Sequence, residues 1–281
     1  MKTSLAYALS TFLALSQFCN AEWEFFAMDT GTRDGQTRSY EQQAALVKEL
    51  GFAGIGYTGA GRIPEMLAAV DKHEIKFHPV YNGIEVRDTG VTHNPNLEDA
   101  ITRLSGRKAI VWLYVGGRRP ADPTGTDAPV IAKLQSLADH AAKSDGRLAL
   151  YPHAGAYADR VQDCVRLAKA AGRRNLGVTF NLCHFLKVDG KDLGKRLEEA
   201  APHLFVVTIN GADRDGTGWN TLIQPLDAGT YDVLPVLQKL KDLQWNGPIG
   251  LQHYGIRGSA RENLARSMSG WKKLLTRLGA Q

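Results

Sequence analysis

Gly177-Val178-Thr179-Phe180-Asn181-Leu182-Cys183-His184 is a run of small, apolar and β-branched residues that ends in polar side chains. A run without polar alternation suits a strand buried on both faces, as in a parallel sheet covered by helices. The same form recurs as LALYPH at 148–153, FVVTINGAD at 205–213 and IGLQH at 249–253. α/β folds gather their chemistry at the C-terminal ends of strands. Four such runs, each ending in His, Asn or Gln, therefore mark where a site is to be sought.

The rest of the chain repeats the pattern. Further strands are expected at 23–28, 52–57, 75–81 and 109–115. Pro79 implies that the third ladder is already ending there, because proline has no N–H to give a neighbour. Residues 82–95, with Glu85, Asp88 and His93, read as a polar loop, and 116–129 as a second loop rich in Pro and Gly. Ser39 with Gln42 three residues on has the form of a capping box, and the helix after it stops at Gly51. Other helices are expected at 64–73, 97–104, 130–144, 157–171, 192–201, 231–243 and 260–278. Strands that nearly all alternate with helices over this length fit one α/β domain, a single (β/α)8 TIM barrel, better than two Rossmann-like halves. Neither G-x-G-x-x-G after a first strand nor a Walker A sequence occurs, which sets nucleotide chemistry aside.

The chain has 281 residues, 43% of them hydrophobic, which is ample for a core. Its formal charge of +5 is spread over scattered pairs such as Arg118-Arg119 and Lys272-Lys273, so no nucleic-acid groove is expected. Residues 1–21 read as a signal peptide: Lys2, an apolar stretch over 5–18, then Cys19-Asn20-Ala21 with cleavage after Ala21. The mature domain, 22–281, is then exported, periplasmic or secreted, without membrane contact once the signal is gone. Cys164 and Cys183 remain and are expected as free, buried thiols.

A barrel brings all its strand ends to one mouth. Here they supply Asp29, Tyr57, His78, Tyr81, Tyr114, Tyr151, His153, Asn181, His184, Asn210, Asp213, Gln252 and His253. A polar, mostly neutral ring with aromatic faces suits a small carbohydrate. Amides and imidazoles exchange hydrogen bonds with hydroxyls, and aromatic rings cover C–H faces. Lys187 and Arg214 are the nearest cations. His78 before Pro79 also suits a core histidine, His253 a position flanking the pocket, and Asp213 a turn cap.

These motifs resemble the xylose-isomerase-like (AP endonuclease family 2) TIM-barrel superfamily, in particular an exported sugar phosphate isomerase/epimerase-like branch. The resemblance runs from FFAMD at 25–29 to GLQHYGI at 250–256 and is most specific at YPHAG (151–155), FNLCH (180–184) and INGAD (209–213). It implies a divalent metal at the barrel mouth, held by a Glu, an Asp, a His or Gln, and a second Glu. By motif register those positions are Tyr151, Asn181, Asn210 and Gln252, all neutral here.

Two readings stay open. In one, the chain is an isomerase, epimerase or lyase acting next to the carbonyl of an unphosphorylated or keto sugar. His153, His184 and Asp213 are then the catalytic residues, with or without a softer metal such as Zn²⁺. Tyr151, Asn181, Asn210, Gln252, Tyr81, Lys187 and Arg214 bind the substrate. In the other, the barrel binds carbohydrate without catalysis.

Overall fold

The computed structural model describes residues 23–122 and 125–279, so the expected signal segment 1–21 lies outside the described residues. Among the described residues nine strands form: β1 Phe25–Met28, β2 Gly54–Thr58, β3 Lys76–Arg87, β4 Gly90–His93, β5 Ile110–Gly116, β6 Arg147–Tyr151, β7 Leu176–Asn181, β8 Leu204–Ile209 and β9 Ile249–Leu251. All but β4 pair in parallel in the order β2-β1-β9-β8-β7-β6-β5-β3, and β2 pairs with β3 to close the barrel. The outer helices are α1 Tyr40–Glu49, α2 Ile63–Lys72, α3 Leu97–Arg103, α4 Ala128–Ala142 and α5 Val161–Ala171. They continue with α6 Leu182–Val188, α7 Leu193–Ala200, α8 Trp219–Leu222, α9 Leu234–Asp242 and α10 Ala260–Gly279. No described helix is long and apolar enough to cross a membrane.

Local chemistry accounts for these elements. Ser39 Oγ accepts from Gln42 N while Gln42 Oε1 accepts from Ser39 N, the reciprocal cap expected from the spacing. Leucine, valine and alanine stripes of α2, α4, α5 and α9 face the outer wall of the barrel and form the larger core. Both cysteines among the described residues, Cys164 and Cys183, are free and buried.

A smaller core fills the lumen: Phe26, Met28, Ile110, Trp112, Ala149, Tyr151 and Val206, with Tyr81, Tyr114 and Phe205 against them. Large rings on some strands require small residues opposite. Gly250 pairs directly with Phe26, and a Cβ there would stand 2.4 Å from Phe26 Cζ. Gly54 makes equivalent room for His78, which stacks on Phe26 at 4.5 Å between centroids. His78 is thus a core histidine on the lumen floor.

The structure departs from the sequence reading in three places. β3 does not end at Pro79, and 82–95 is not a loop. Ile55 pairs with Phe77 and Tyr57 with Val80, so His78 and Pro79 together oppose Gly56 in a bulge. The missing N–H falls in that interruption, and the ladder resumes to Arg87 before turning back antiparallel into β4. Secondly, β6 ends at Tyr151, because Pro152 cannot continue the ladder, and His153 sits in the turn before α5. Thirdly, Cys183 and His184 lie in the first turn of α6, since the Asn181 side chain accepts from His184 N and starts a helix.

Two stability tests follow. Gly250→Ala is expected to cost about 1–3 kcal/mol in urea denaturation, by overpacking against Phe26. Gly35→Ala, where an added Cβ meets nothing within 4 Å, serves as the neutral control. Burial brings His78 and His253 down to about 4 each. An imidazole titrates at about 6.5 in the unfolded chain, which therefore takes up more protons than the native protein between those values. Stability contributed by neutral burial is complete above about pH 6.5 and is lost as pH falls towards 4. His78→Gln should flatten that dependence, read as urea midpoints at successive pH values.

Candidate functional site

Strand alternation carries the lumen face upward from the core. On β3 it runs through Tyr81 and Glu85, on β5 through Trp112 and Tyr114, and on β6 to Tyr151. Tyr151 lies at the centre. Its ring is 5.1 Å from those of Tyr81 and Trp112 and 5.5 Å from that of His184. Asn181 at the end of β7 donates through Nδ2 to the Tyr151 hydroxyl, and Gln252 Nε2 donates to the same oxygen at 3.0 Å. Burial pushes the Tyr151 phenol well above its ordinary pKa, against the opposing pull of these two donors.

Above this floor stand His153 and His184, ring centroids 4.3 Å apart. One residue, Ala154, contacts both. Its N–H donates to His184 Nδ1 at 3.1 Å, while its carbonyl oxygen lies 3.2 Å from His153 Nδ1. A peptide N–H can only donate and a carbonyl can only accept. His184 is therefore protonated on Nε2 and His153 on Nδ1, which leaves a free lone pair on His153 Nε2. Burial, with His153 as a like-charged neighbour, brings His184 down to about 3. His153 is also lowered, mainly by burial, though the Ala154 carbonyl and Asp159 partly offset this. Both imidazoles are thus neutral near pH 7 and offer opposite functions side by side: one N–H donor and one base.

The turn that carries Ala154 is held from several sides. His153 N donates to Ala158 O at 3.1 Å, Gly155 N to Asp159 Oδ1 at 2.9 Å and Ala158 N to Val115 O at 3.2 Å.

Asn210, wholly buried at the end of β8, anchors its Nδ2 on Gly211 O and Leu222 O and leaves Oδ1 without a donor. Asp213 staples its own loop, accepting from Gln224 Nε2 at 2.9 Å and from Thr230 N at 3.2 Å. Lys187 donates to Thr217 O at 2.6 Å and lies 5.6 Å from the Trp219 ring centre. Arg214 is exposed, and its N–H donates to Thr230 Oγ1. Cys183, its thiol pushed up by burial, donates to Asn181 Oδ1 at 3.0 Å.

Sequence reasoning did not single out Trp219, 41% exposed and edge-on to His184 at 5.2 Å, nor Ala154. Glu85 also rises into prominence. It accepts from the Tyr114 hydroxyl, and the Tyr114 ring packs on His153 at 5.5 Å. A Cβ on Gly116 would strike both Glu85 and the Tyr114 hydroxyl, so the pair depends on glycine at that position. No signal could have marked Ala154, whose contribution is entirely main chain.

The donor set does not fit the divalent cation that the resemblance implies. Of the four positions, three form the neutral Tyr151 cluster, with both amide N–H groups turned inward. Hard cations need oxygen donors, and anionic ones above all. Among the described residues, no group of three or more His, Cys, Asp or Glu comes together to hold a metal.

Several solved structures have the same architecture. A 3-keto-D-glucoside 4-epimerase (YcjR) from E. coli superposes with a TM-score of 0.71 at 16% identity, covering 91% of this chain and 100% of that one. A D-psicose 3-epimerase from Clostridium cellulolyticum, solved with D-tagatose, gives 0.66 at 13% identity over 91% and 99%. The IolI protein, solved with a bound zinc atom, gives 0.71 at 15% identity over 90% and 98%. At such identities the likeness shows the fold alone. No curated protein matches by sequence. The model of the xylose isomerase-like TIM barrel family, however, matches residues 44–274. With that match spanning most of a closed parallel barrel, the chain belongs to the xylose isomerase-like TIM barrel family.

Proposed function

We propose that this protein is a sugar isomerase or epimerase-like enzyme that moves a proton next to the carbonyl of an unphosphorylated keto sugar. The observation that carries this reading is the opposed pair of neutral imidazoles fixed by Ala154. His153 Nε2 takes the proton from the carbon beside the carbonyl. His184 Nε2–H donates to the carbonyl oxygen, where negative charge grows as the C–H bond breaks. Returning the proton to the other face gives an epimer, returning it to the neighbouring carbon gives an isomer, and expelling a β-substituent gives an elimination. Two structural neighbours of this barrel are a 3-keto-D-glucoside 4-epimerase and a D-psicose 3-epimerase, which supports the same substrate class for this mouth. Asn210 Oδ1, a buried acceptor without a donor, receives a substrate hydroxyl, while Asn181 and Gln252 hold Tyr151 in place.

Phosphate is not favoured as a substrate group, because Lys187 is engaged with Thr217 and Trp219 and Arg214 faces solvent. Trp219 offers a partly open aromatic face beside His184 for the C–H side of a pyranose. We further propose export, on the strength of the N-terminal 1–21 sequence, so that the substrate would be met outside the cytoplasm. The neutral donor set also favours a plain carbohydrate-binding barrel, and turnover separates the two readings.

The test is proton NMR in D₂O with methyl 3-keto-D-glucoside and D-psicose as probes. Loss of a C–H signal next to the carbonyl is expected with the wild type. His153→Ala should slow it by about 10²–10⁴-fold, the range for losing a positioned base. The rate should fall on the acid side with a midpoint below the ordinary imidazole value of about 6.5, because His153 titrates low. Saturable binding of either sugar by calorimetry with no exchange would replace the enzyme by the binding barrel. Separately, Trp219→Ala should weaken sugar affinity about tenfold, equivalent to about 1.4 kcal/mol, and remove the accompanying change in tryptophan fluorescence.

A further inference from the structure

The mismatch between donor set and cation has a definite geometry, because neither amide in the Tyr151 cluster is free to turn over. Asn181 Oδ1 accepts from Cys183 Sγ at 3.0 Å and from His184 N at 3.4 Å. Gln252 Oε1 accepts from His253 N at 3.0 Å and from Tyr254 N at 3.3 Å. Reversing either amide would set its NH₂ against those N–H or S–H groups, so both nitrogens are committed to the phenol oxygen. A cation at this point would face two fixed positive dipole ends.

The two amides occupy both lone pairs of the phenol oxygen and leave its proton. No acceptor for that proton occurs among the hydrogen bonds of the described residues, while Asn210 Oδ1 is a buried acceptor with no donor. Buried polar groups in native proteins are paired, yet the buried Tyr151 hydroxyl only accepts and the buried Asn210 Oδ1 receives nothing, so a ligand with a complementary acceptor and donor would satisfy both. A carbonyl beside a hydroxyl, as in an α-hydroxy-ketone, has both.

We propose that the Tyr151 hydroxyl, clamped by Asn181 and Gln252, has taken the place and the task of the family's divalent cation. It hydrogen-bonds the carbonyl oxygen of a hydroxy-ketone whose neighbouring hydroxyl is received by Asn210. This rests on the isomerase reading for its substrate class, but not for the loss of the cation site. In the step itself the C–H bond beside the carbonyl breaks and its proton goes to His153 Nε2. The released pair forms the C=C bond, and the carbonyl π pair moves onto oxygen, held by Tyr151 O–H and His184 Nε2–H. Reprotonation at carbon by His153 restores the ketone, with nothing oxidised or reduced. Tyr151 keeps its proton throughout, as burial requires.

The decisive experiment is calorimetric titration of the chelator-stripped, full-length mature protein with Mn²⁺ and with Zn²⁺ at pH 7.5. Saturable heat is expected neither from the wild type nor from Tyr151→Phe. The triple variant Y151E/N181D/Q252E, which restores the carboxylates, should bind about one equivalent of Mn²⁺. Stoichiometric binding by the wild type that Y151E/N181D/Q252E leaves unchanged and His153→Ala/His184→Ala abolishes would overturn the proposal, as would wild-type binding that Tyr151→Phe abolishes. Should the triple variant fail to fold, the wild-type titration decides alone. With the keto sugars, exchange by stripped wild type should be undiminished, and Tyr151→Phe should lower it by about a hundredfold, the usual loss on removing one donor at a developing oxyanion. Exchange that appears only on adding a cation would also overturn the proposal. A wild type that binds no cation and exchanges no keto sugar would end the isomerase reading and leave the replaced cation site standing.

Discussion

Closing parallel strands into a barrel creates a lumen that must be filled, and this chain fills it with rings. Phe26, His78, Trp112 and Tyr151 take up volume that other barrels divide among aliphatic side chains. Glycines on the facing strands make the arrangement possible, Gly250 under Phe26 and Gly54 beside His78. Everything above inherits its position from that filling. Tyr151 packs against Trp112, His184 against Tyr151, and Trp219 against His184, so the site is the upper end of one aromatic column.

That column explains the electrostatics of the mouth. Apolar rings beneath and beside the imidazoles strip them of water, which disfavours their charged forms. A low-dielectric floor would equally penalise a cation or a carboxylate left without its complement. The neutral amide–phenol–amide cluster satisfies the same space with hydrogen bonds alone. The absence of carboxylates at Tyr151, Asn181 and Gln252 and the aromatic filling of the lumen are thus two sides of one physical choice.

Much of this was legible in the sequence. Apolar runs ending in His, Asn and Gln gave the strand ends, their alternation with helices gave the barrel, and register placed Tyr151, Asn181 and Gln252 together. What escaped lay where local rules compete. Pro79 is a strand breaker unless a bulge absorbs it, and nothing nearby announces the bulge. Asn181 could be read as a ligand or as a helix cap, and its two ends serve in both ways, Oδ1 capping α6 and Nδ2 holding Tyr151. Asp213, a plausible acid from its motif, has both oxygens engaged by its own loop. Long-range pairs such as Glu85 with Tyr114 depend on the course of β3 and cannot be seen before that course is known.

Ala154 has a consequence of a different kind. Two imidazoles take their tautomers from the two polar ends of one alanine, so the information resides in peptide orientation rather than in side-chain identity. A scan that replaces side chains one at a time is blind to such a residue, and many substitutions there would leave the main chain unchanged. Variation at position 154 among homologues would carry no warning of its importance. A tilt of this peptide, by contrast, would disturb donor and base together, because neither histidine has an independent anchor for its Nδ1.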